Sequence, residues 1–380
     1  MSNSHKRTSS AIICLAVMIV IFGYFGYVMG ISNMLKTMMS TAHDLVLNTC
    51  LFLMAVCVLT GAVGSLFVEF GVVNLLETLL RPLMKPLFNM PGSAALGAVI
   101  TFLSDNPALI TMAKDNRYAS FFKKYQFISL TNFGTAFGMG LIVIVFMVSF
   151  GYSWEPFVGL FGAIVGCIVS TRLMQKFIIR DYPSYKNEYA ATCPETEGSE
   201  PVESPKKEST FVRVLNGLLD GGKSGVMVGV AIIPGVLIVS TFVMMLTFDT
   251  GSVKEYTGVA YQGTALLPFI AEKLDFLFNI LFGFSDPHQI AFPITSLGAV
   301  GAALGLVPVF NEQGWIDGNA IAVFTAMGMC WSGFLSTHTA MLDSLGYRNL
   351  TGKAILSHTI GGIIAGIVAH WTFIIISLIS

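Results

Sequence analysis

Seven long apolar runs dominate this chain of 380 residues and restrict the folds open to it. A helix needs about 20 apolar residues to cross the hydrocarbon core of a bilayer, which is about 30 Å thick. The runs have that length and predict seven spanning helices, at 11–31, 45–68, 125–150, 155–179, 225–248, 318–341 and 354–378. Because 54% of the residues are hydrophobic and only 11% are charged, we predict an all-α polytopic membrane protein that contacts the lipid bilayer.

Charge and cysteine content exclude several kinds of partner and cofactor. The formal net charge is -1 at pH 7, which gives no electrostatic reason to expect a nucleic-acid partner. The six cysteines include no C-x-x-C pair, and five of them lie within apolar runs. We therefore predict no disulfide framework, no metal site and no cofactor.

Two further apolar stretches, 91–112 and 288–310, are interrupted by proline, glycine and polar residues. Each is either a kinked span or a re-entrant hairpin that enters and leaves the membrane on one side. If both are hairpins, Lys36, Lys254 and Lys273 lie outside and the other 18 of the 21 basic residues face the cytoplasm; if both are spans, 8 face in and 13 face out. Since cytoplasmic loops carry an excess of lysine and arginine, we predict two re-entrant hairpins. The N-terminus is then cytoplasmic and the C-terminus outside, in the inner or plasma membrane.

A polar segment divides the chain into two halves with the same order of parts. Residues 181–210 are rich in Pro, Glu, Ser and Lys and predict a mobile cytoplasmic linker. On each side of it, a span is followed by an amphipathic segment, an interrupted stretch and two more spans. Three crossings per half reverse the second copy, so the halves are predicted to be inverted repeats. The predicted parts are an N-terminal helix with its connection, a first repeat, a linker with an amphipathic segment, and a second repeat, at 1–44, 45–180, 181–224 and 225–380.

Three segments carry a resemblance to a known family. They are RPLMKPLFNMPGSAALGAVITFLSDNPALI in the first half, FGFSDPHQIAFPITSLGAVGAALGLVP in the second, and the glycine-spaced NGLLDGGKSGVMVGVAIIPGVLIV between them. Through these segments the chain resembles the Gate, or nucleoside-recognition, family of membrane proteins, and within it the YjiH-like members. That family is related in fold to concentrative nucleoside transporters and to the permease part of ferrous-iron transport GTPases. The resemblance covers most of residues 45–378.

The resemblance implies a transporter rather than an enzyme. With the inverted repeats, it indicates a secondary transporter that moves a small polar solute, a nucleoside or related compound, through a site where the hairpin tips meet. The coupling ion, Na+ or H+, is left open. Two other functions stay open as well: a divalent-cation permease, and a membrane module that does not transport and only serves as partner in a larger complex. Assembly as a homo-oligomer or with a membrane partner protein is also left open. The cation hypothesis is weakened because the hairpins carry no paired Cys, His, Asp or Glu.

The first interrupted stretch carries Ser104, Asp105 and Asn106 immediately before Pro107. Proline is favoured at the first position of a helix, so this run predicts the hairpin tip and the start of a second half-helix. Asp105 or Asn106 then caps that half-helix, whose positive end also suits a solute or a coupling ion. We predict that Ser104, Asp105 and Asn106 line the binding site, with a purely capping role as the alternative.

Polar residues on two spans add to the predicted site. Asn132 and Thr135 share one side of the span 125–150. The span 318–341 and its end carry one polar stripe at helical spacing, made of Thr325, Ser332, Ser336, Thr339 and Asp343. We assign Asn132, Thr135, Ser332 and Ser336 to the site. Hydrogen bonding between helices is the alternative role, and it contributes about 0.6 kcal/mol per bond in bilayers.

The second hairpin offers Thr295 and Ser296 as its predicted break and as further site residues. Asp286 and His288 stand at its mouth. A histidine beside an aspartate suggests a proton relay, but a solvated interfacial histidine is the alternative, and we place neither residue in the site.

One motif resembles a phosphate loop, because Gly217, Gly222, Lys223 and Ser224 match the pattern G-x-x-x-x-G-K-[ST]. A phosphate loop joins a strand to a helix within a soluble domain. Here a linker precedes the motif and a span follows it, which leaves no room for such a domain. We interpret the glycines as positions of close helix packing.

Overall fold

The fold is known from a computed structural model that describes residues 2–104, 107–191, 209–251 and 254–379. Within these ranges the chain is almost entirely helical, and it forms no strand beyond a single bridge between Lys123 and Tyr189. Seven helices in this part of the chain are long and apolar enough to span a membrane. The predicted all-α architecture with seven spanning helices is confirmed.

The first half begins with two helices that are separated at Gly30, where φ is 77°. A π-helical turn, Leu45–Cys50, joins α2 to α3, so one continuous helix of 39 residues covers Ile31–Glu69. The described helices of this half are α1 (Ser2–Met29), α2 (Ile31–Asp44), α3 (Leu51–Glu69), α4 (Val72–Leu83), α5 (Ala94–Leu103), α6 (Pro107–Ala113), α7 (Asn116–Ser120), α8 (Lys124–Thr135), α9 (Gly140–Ser149) and α10 (Glu155–Asp181).

The second half opens with a helix that starts at Thr210, inside the segment predicted as linker and amphipathic segment. A π-helical turn, Val236–Ser240, carries it on to Thr247. The described helices of this half are α11 (Thr210–Gly235), α12 (Thr241–Thr247), α13 (Leu266–Lys273), α14 (Asp275–Phe282), α15 (Ala291–Gly298), α16 (Val300–Leu304), α17 (Val307–Glu312), α18 (Gly318–Trp331), α19 (Phe334–Ser344) and α20 (Thr351–Ser377).

Two of the seven spans are interrupted and form the centre of the molecule. In the first, α8 ends at Thr135 and α9 starts at Gly140; in the second, α18 ends at Trp331 and α19 starts at Phe334. In each of these two spans, 83% of the most apolar 18-residue segment is buried inside the protein, whereas the corresponding share in the other five spans is at most 50%. The sequence predicted each as one uninterrupted span. The structure breaks both, with Met139 and Gly333 in the left-handed region at φ 57° and 70°.

The two stretches predicted as hairpins, 91–112 and 288–310, each form separate short helices, as a hairpin requires. In the first, α6 begins at Pro107 as predicted, and residues 105–106 lie outside the described part of the chain. In the second, the predicted break at Thr295 and Ser296 is wrong, because both residues lie inside α15 and the chain turns at Ala299, which has an extended backbone. The two hydroxyls donate to carbonyl oxygens three or four residues earlier, a bond that an intact helix accommodates.

Glycines bring α11 into close contact with α3. Gly217, Gly221, Gly225 and Gly229 recur every four residues on α11 and are buried. A Cβ atom added at Gly225 would lie 2.2 Å from the carbonyl oxygen of Cys57, so the two backbones touch there. Of the phosphate-loop motif, Gly217 lies on this packed face, as interpreted, but Gly222 meets only the side chain of Val58 at 3.6 Å.

The start of the predicted mobile linker is bonded to the body of the protein. Lys124 donates its backbone N–H to the Glu188 carbonyl at 2.8 Å, and Ala190 donates to Phe122 at 2.9 Å. The Lys124 ammonium lies 2.6 Å from the Glu188 carboxylate. Its hydrogen bond lowers the pKa of Glu188, with a smaller contribution from Ser184. Contrary to the prediction of mobility from residue 181, the chain is therefore anchored up to 191, and 192–208 lie outside the described residues.

Candidate solute site

A cavity of about 690 Å³ lies where the two interrupted spans break. Both hairpins reach it, the first with Ser104 and the second with the turn at Ala299, and α11 closes one side. Its lining combines small, apolar and hydroxyl-bearing residues: Ser104, Ala108, Met139, Ser224, Met227, Val228, Ala231, Ile232, Gly235, Gly298, Ala299, Val300, Gly301, Ala302, Ser332, Gly333, Ser336, Thr337 and Ala340.

The second hairpin and the interruption between α18 and α19 hold each other in place. Gly333 donates its backbone N–H to the carbonyl of Ser296 at 3.3 Å. A Cβ added at Gly333 would lie 3.2 Å from the carbonyl oxygen of Gly298, and its positive φ favours glycine in any case. Glycine at this position therefore lets the interruption and the hairpin turn meet in the wall of the cavity.

The two interruptions also place the starts of two helices at the cavity. Met139 precedes α9 and Gly333 precedes α19, and both residues line the cavity. The first turn of a helix has unpaired N–H groups and a positive dipole end. At α19 the wall also includes Ser336 of the first turn, so this end can offer hydrogen-bond donors to acceptors on a solute, whereas Gly140 at the start of α9 packs against Phe102.

Serine hydroxyls supply the complementary acceptors. Ser104 donates its hydroxyl hydrogen to the Ile100 carbonyl at 2.7 Å, and Ser336 donates to the Gly333 carbonyl at 3.1 Å. A hydroxyl that donates still has two acceptor lone pairs. Ser332, the third predicted residue in the wall, donates to the Gly138 carbonyl at 3.3 Å and so joins the two interruptions.

Asn132 lies away from this cavity, in a buried network that joins three helices. Its amide nitrogen donates to the hydroxyls of Ser170 and Ser357, both at 2.9 Å, and to the Ala354 carbonyl at 3.0 Å. Ser170 also lies 2.8 Å from Nδ1 of His358. These contacts give Asn132 the role of an interhelical bond.

Five other predicted site residues are not among the described residues that line the cavity. Thr135, Thr295 and Ser296 are buried, and none of them lines the cavity. Thr135 donates to the Thr131 carbonyl at 2.8 Å within its own helix. Asp105 and Asn106 follow Ser104 in the sequence and lie outside the described residues.

The predicted polar stripe along 318–341 is split by the interruption. Helix α18 ends at Trp331, so residues before and after Ser332 do not follow a single helical register. Thr325 is fully buried, Ser336 faces the cavity, and Asp343 is exposed and lies 3.7 Å from Arg348. The stripe is therefore wrong as a continuous surface, although two of its members reach the wall.

Asp286 and His288 form a local structure outside the cavity lining. Asp286 caps the 3₁₀ turn Pro287–Ile290 by accepting the His288 backbone N–H at 2.8 Å, and its Oδ1 lies 2.6 Å from the histidine Nδ1. The imidazole stacks on Trp315 with ring centres 3.7 Å apart. The arrangement stabilises the mouth of the second hairpin.

Sequence reasoning missed Ser224 and Thr337, which both line the cavity. Ser224 was considered only as part of the phosphate-loop pattern. Thr337 follows Ser336 directly, and its direction depends on where α19 begins. The interruption at Ser332 and Gly333 sets that start, and no local feature of the apolar run predicts it.

No protein-family model matches the sequence. Among curated proteins, an uncharacterized protein of Alkalihalophilus pseudofirmus is 28% identical over 98 residues. That match covers 26% of this chain and 21% of the relative, so the shared region spans about a fifth of the relative's length.

Solved structures of CNTnw are similar to this protein over nearly its whole length. CNTnw in an inward-facing, substrate-bound state aligns with a TM-score of 0.57 at 14% identity, covering 97% of this chain and 84% of CNTnw. A variant of CNTnw in an outward-facing state gives a TM-score of 0.54 at 12% identity, covering 97% and 86%. At such identities the similarity concerns the fold. The chain is therefore a multi-pass membrane protein with the fold of a concentrative nucleoside transporter.

Proposed function

We propose that this protein is a secondary transporter that moves a small polar organic solute of the nucleoside class. The observation that carries the proposal is the cavity bounded by both hairpins and both interrupted spans. In secondary transporters with inverted repeats, discontinuous helices form the solute site in the same way. Membership of the Gate family, suggested by three segments of the sequence, stays a prediction.

The size and chemistry of the cavity suit such a solute. Small-molecule sites have volumes of about 300–1,000 Å³ and apolar walls with a few polar groups that orient the ligand. The cavity has about 690 Å³, with Met139, Met227 and Val228 among its apolar walls. A nucleoside has an apolar ring face and both hydrogen-bond donors and acceptors, which match these walls, the serine hydroxyls and the N-terminus of α19.

The direct test is a thermal-shift screen of the purified protein with nucleosides, nucleobases, amino acids and divalent ions. A ligand that binds only the folded state raises the unfolding temperature. We expect stabilisation by nucleosides. Stabilisation by divalent ions alone would favour the permease hypothesis, and no response to any solute would favour a partner module.

A cavity-filling variant tests whether the solute binds in this cavity. A Cβ at Gly298 would have no atom within 4 Å, so Gly298→Leu places its side chain in the open space of the cavity. We expect uridine binding to weaken at least about tenfold, or 1.4 kcal/mol. Gly352→Leu is the matched control, because Gly352 has equally open surroundings at the start of α20 and does not line the cavity.

Asp105 is proposed as a further site residue on the basis of its place beside Ser104. Asp105→Asn retains capping capacity and removes the charge. If the carboxylate binds a cation or a donor group of the solute, binding should weaken by about 1–3 kcal/mol, or about 5- to 150-fold. Wild-type affinity for uridine with and without sodium, at every pH tested, would leave Asp105 with a capping role only.

A further inference from the structure

Two histidines lie together in the buried part of the second half, behind the cavity. His338 on α19 and His358 on α20 are both fully buried, and their ring centres are 4.5 Å apart. The Phe334 ring packs against both, at 5.6 Å and 5.2 Å. Ionisable residues within spanning helices are uncommon and are frequently functional. Nothing in the proposed solute site explains this pair.

The hydrogen bonds of His358 place a hydrogen on Nε2 and suit a neutral ring. Its Nε2 bonds to the carbonyl of Cys330, which can only accept, so Nε2 carries the hydrogen. Its Nδ1 then accepts the hydroxyl hydrogen of Ser170, while Asn132 donates to the Ser170 oxygen. His358 is thus held as a neutral ring, and the Ser170 hydroxyl would have to turn before Nδ1 could take a proton.

His338 is in the opposite situation. Neither of its ring nitrogens makes a hydrogen bond of good geometry among the described residues, although the carbonyl of Phe334, about one helical turn earlier, lies close enough to accept a weak one from the ring N–H. A buried polar group without a partner costs about 1–3 kcal/mol, and such a group in a folded protein calls for an explanation. Its unpaired nitrogen lone pair is ready to accept a proton.

Among the described residues, no carboxylate contacts either ring. The titratable groups nearby are the thiol of Cys330 on α18, the thiol of Cys167 beside it on α10, and the phenol of Tyr125 on α8, which packs with Leu342 of α19 and Ala354 of α20. Most charged residues of the packed helices lie at their ends: Asp343 with Arg348, Lys353 with Asp181, and Lys124 with Glu188. Arg172 and Lys176 lie further inside α10, and the exposed Arg172 side chain donates to the carbonyls of Pro86 and Leu87. Helix α15 carries no charged residue.

Helix α19 connects this pair to the cavity. Ser336 and Ala340 line the cavity, and His338, midway between them in sequence, projects from the opposite face at about 100° per residue. A positive charge on a buried ring without a counter-ion is unfavourable, so protonation favours a conformation in which α19 moves and the ring reaches water. The same movement changes the wall formed by Ser336 and Thr337.

We propose that His338 and His358 form a proton-binding pair that couples solute movement through the neighbouring cavity to the movement of a proton. The proton comes from water and binds the free lone pair of His338, forming one N–H bond without any redox change. The coupling rests on the proposed transport function, whereas proton binding by the pair does not.

The first test needs no solute. In the purified full-length protein labelled with ¹⁵N-histidine, we expect imidazole signals that disappear in His338→Gln to shift as the pH is lowered below the ordinary histidine pKa of about 6.5, because burial disfavours the charged ring. Ser170→Ala keeps both rings and should move the pH at which the pair titrates, which provides a second variant if His338→Gln unfolds. His43→Gln, at an exposed position, is the control and should leave these signals unchanged. If no signal assigned to either histidine titrates, the pair is not a proton site.

The second test measures coupling in proteoliposomes that contain a pH-sensitive dye. We expect uridine to drive proton movement in the wild type and in His43→Gln, and His338→Gln to lose proton movement while retaining uridine exchange. Uridine exchange with proton movement that survives His338→Gln would overturn the coupling but not the transport function. Absence of uridine exchange in the wild type would overturn the proposed function and the coupling together, and the NMR titration would still decide whether the pair binds a proton.

Discussion

Neighbouring glycines in the GGKS motif provide a sharp test of how the two halves pack. A Cβ at Gly221 would lie 2.3 Å from the carbonyl oxygen of Gly61 and 2.8 Å from the Cα of Ala62. A Cβ at Gly222 meets only the side chain of Val58, at 3.6 Å, which is ordinary van der Waals contact. Ala at position 221 must therefore push α11 away from the α3 backbone, whereas Ala at 222 fits.

The expected difference follows from two contributions. Gly→Ala in a helix interior stabilises by about 0.5–1 kcal/mol at either position. Overpacking costs about 1–3 kcal/mol and applies only at Gly221, where the obstacle is backbone and cannot rotate away. The helix contribution cancels between the variants, so Gly221→Ala should be less stable than Gly222→Ala by about 1–3 kcal/mol.

The assay is reversible unfolding in mixed micelles with increasing SDS, followed by tryptophan fluorescence, for both variants and the wild type. We expect Gly222→Ala to unfold at an SDS fraction equal to or above that of the wild type, and Gly221→Ala below it. Equal stability of the two variants would refute the close backbone contact. A loss of stability at Gly222 alone would mean that the other face of α11 packs against α3.

Three further predictions concern the membrane orientation and the linker. In a Cys14→Ser background, native Cys193 should be shielded from impermeant thiol reagents in intact cells and a cysteine introduced at Gln313 should react; the reverse pattern would contradict the predicted topology. Shortening 192–208 by half should leave insertion and solute binding nearly unchanged, because loop-closure entropy depends weakly on length, and loss of binding would indicate a docking role. Because its pKa is lowered in the folded state, Glu188 stabilises the attachment of 183–191 above its ordinary pKa of about 4.5, and this contribution is lost as the pH falls below that value. After correction for the intrinsic exchange rate, hydrogen-exchange protection of this segment should therefore fall on acidification in the wild type and should be low and insensitive to pH in Glu188→Gln.

The sequence by itself determined the class, the number of spans and the start of α6. The number of spans can be counted from the sequence because the bilayer thickness sets the length that an apolar run must reach. The length of each run is a property of that run alone. Pro107 begins a helix because proline has no N–H to leave unpaired there. Of the two motif glycines predicted to pack closely, Gly217 lies on the buried glycine face of α11, whereas Gly222 does not.

Only the tertiary structure decided where the central spans break and which polar residues reach the cavity. The segments around Met139 and Ser332 have the length of uninterrupted spans, and the glycines in them are also compatible with close helix packing; where the chain breaks depends on contacts with other segments, such as the bond from Gly333 to Ser296. Asn132 was predicted in the site from its polarity and spacing, but its partners Ser170 and Ser357 are 38 and 225 residues away in sequence. Polarity within a span shows that a partner is needed, and only the packing of the helices determines whether that partner is a solute or another helix.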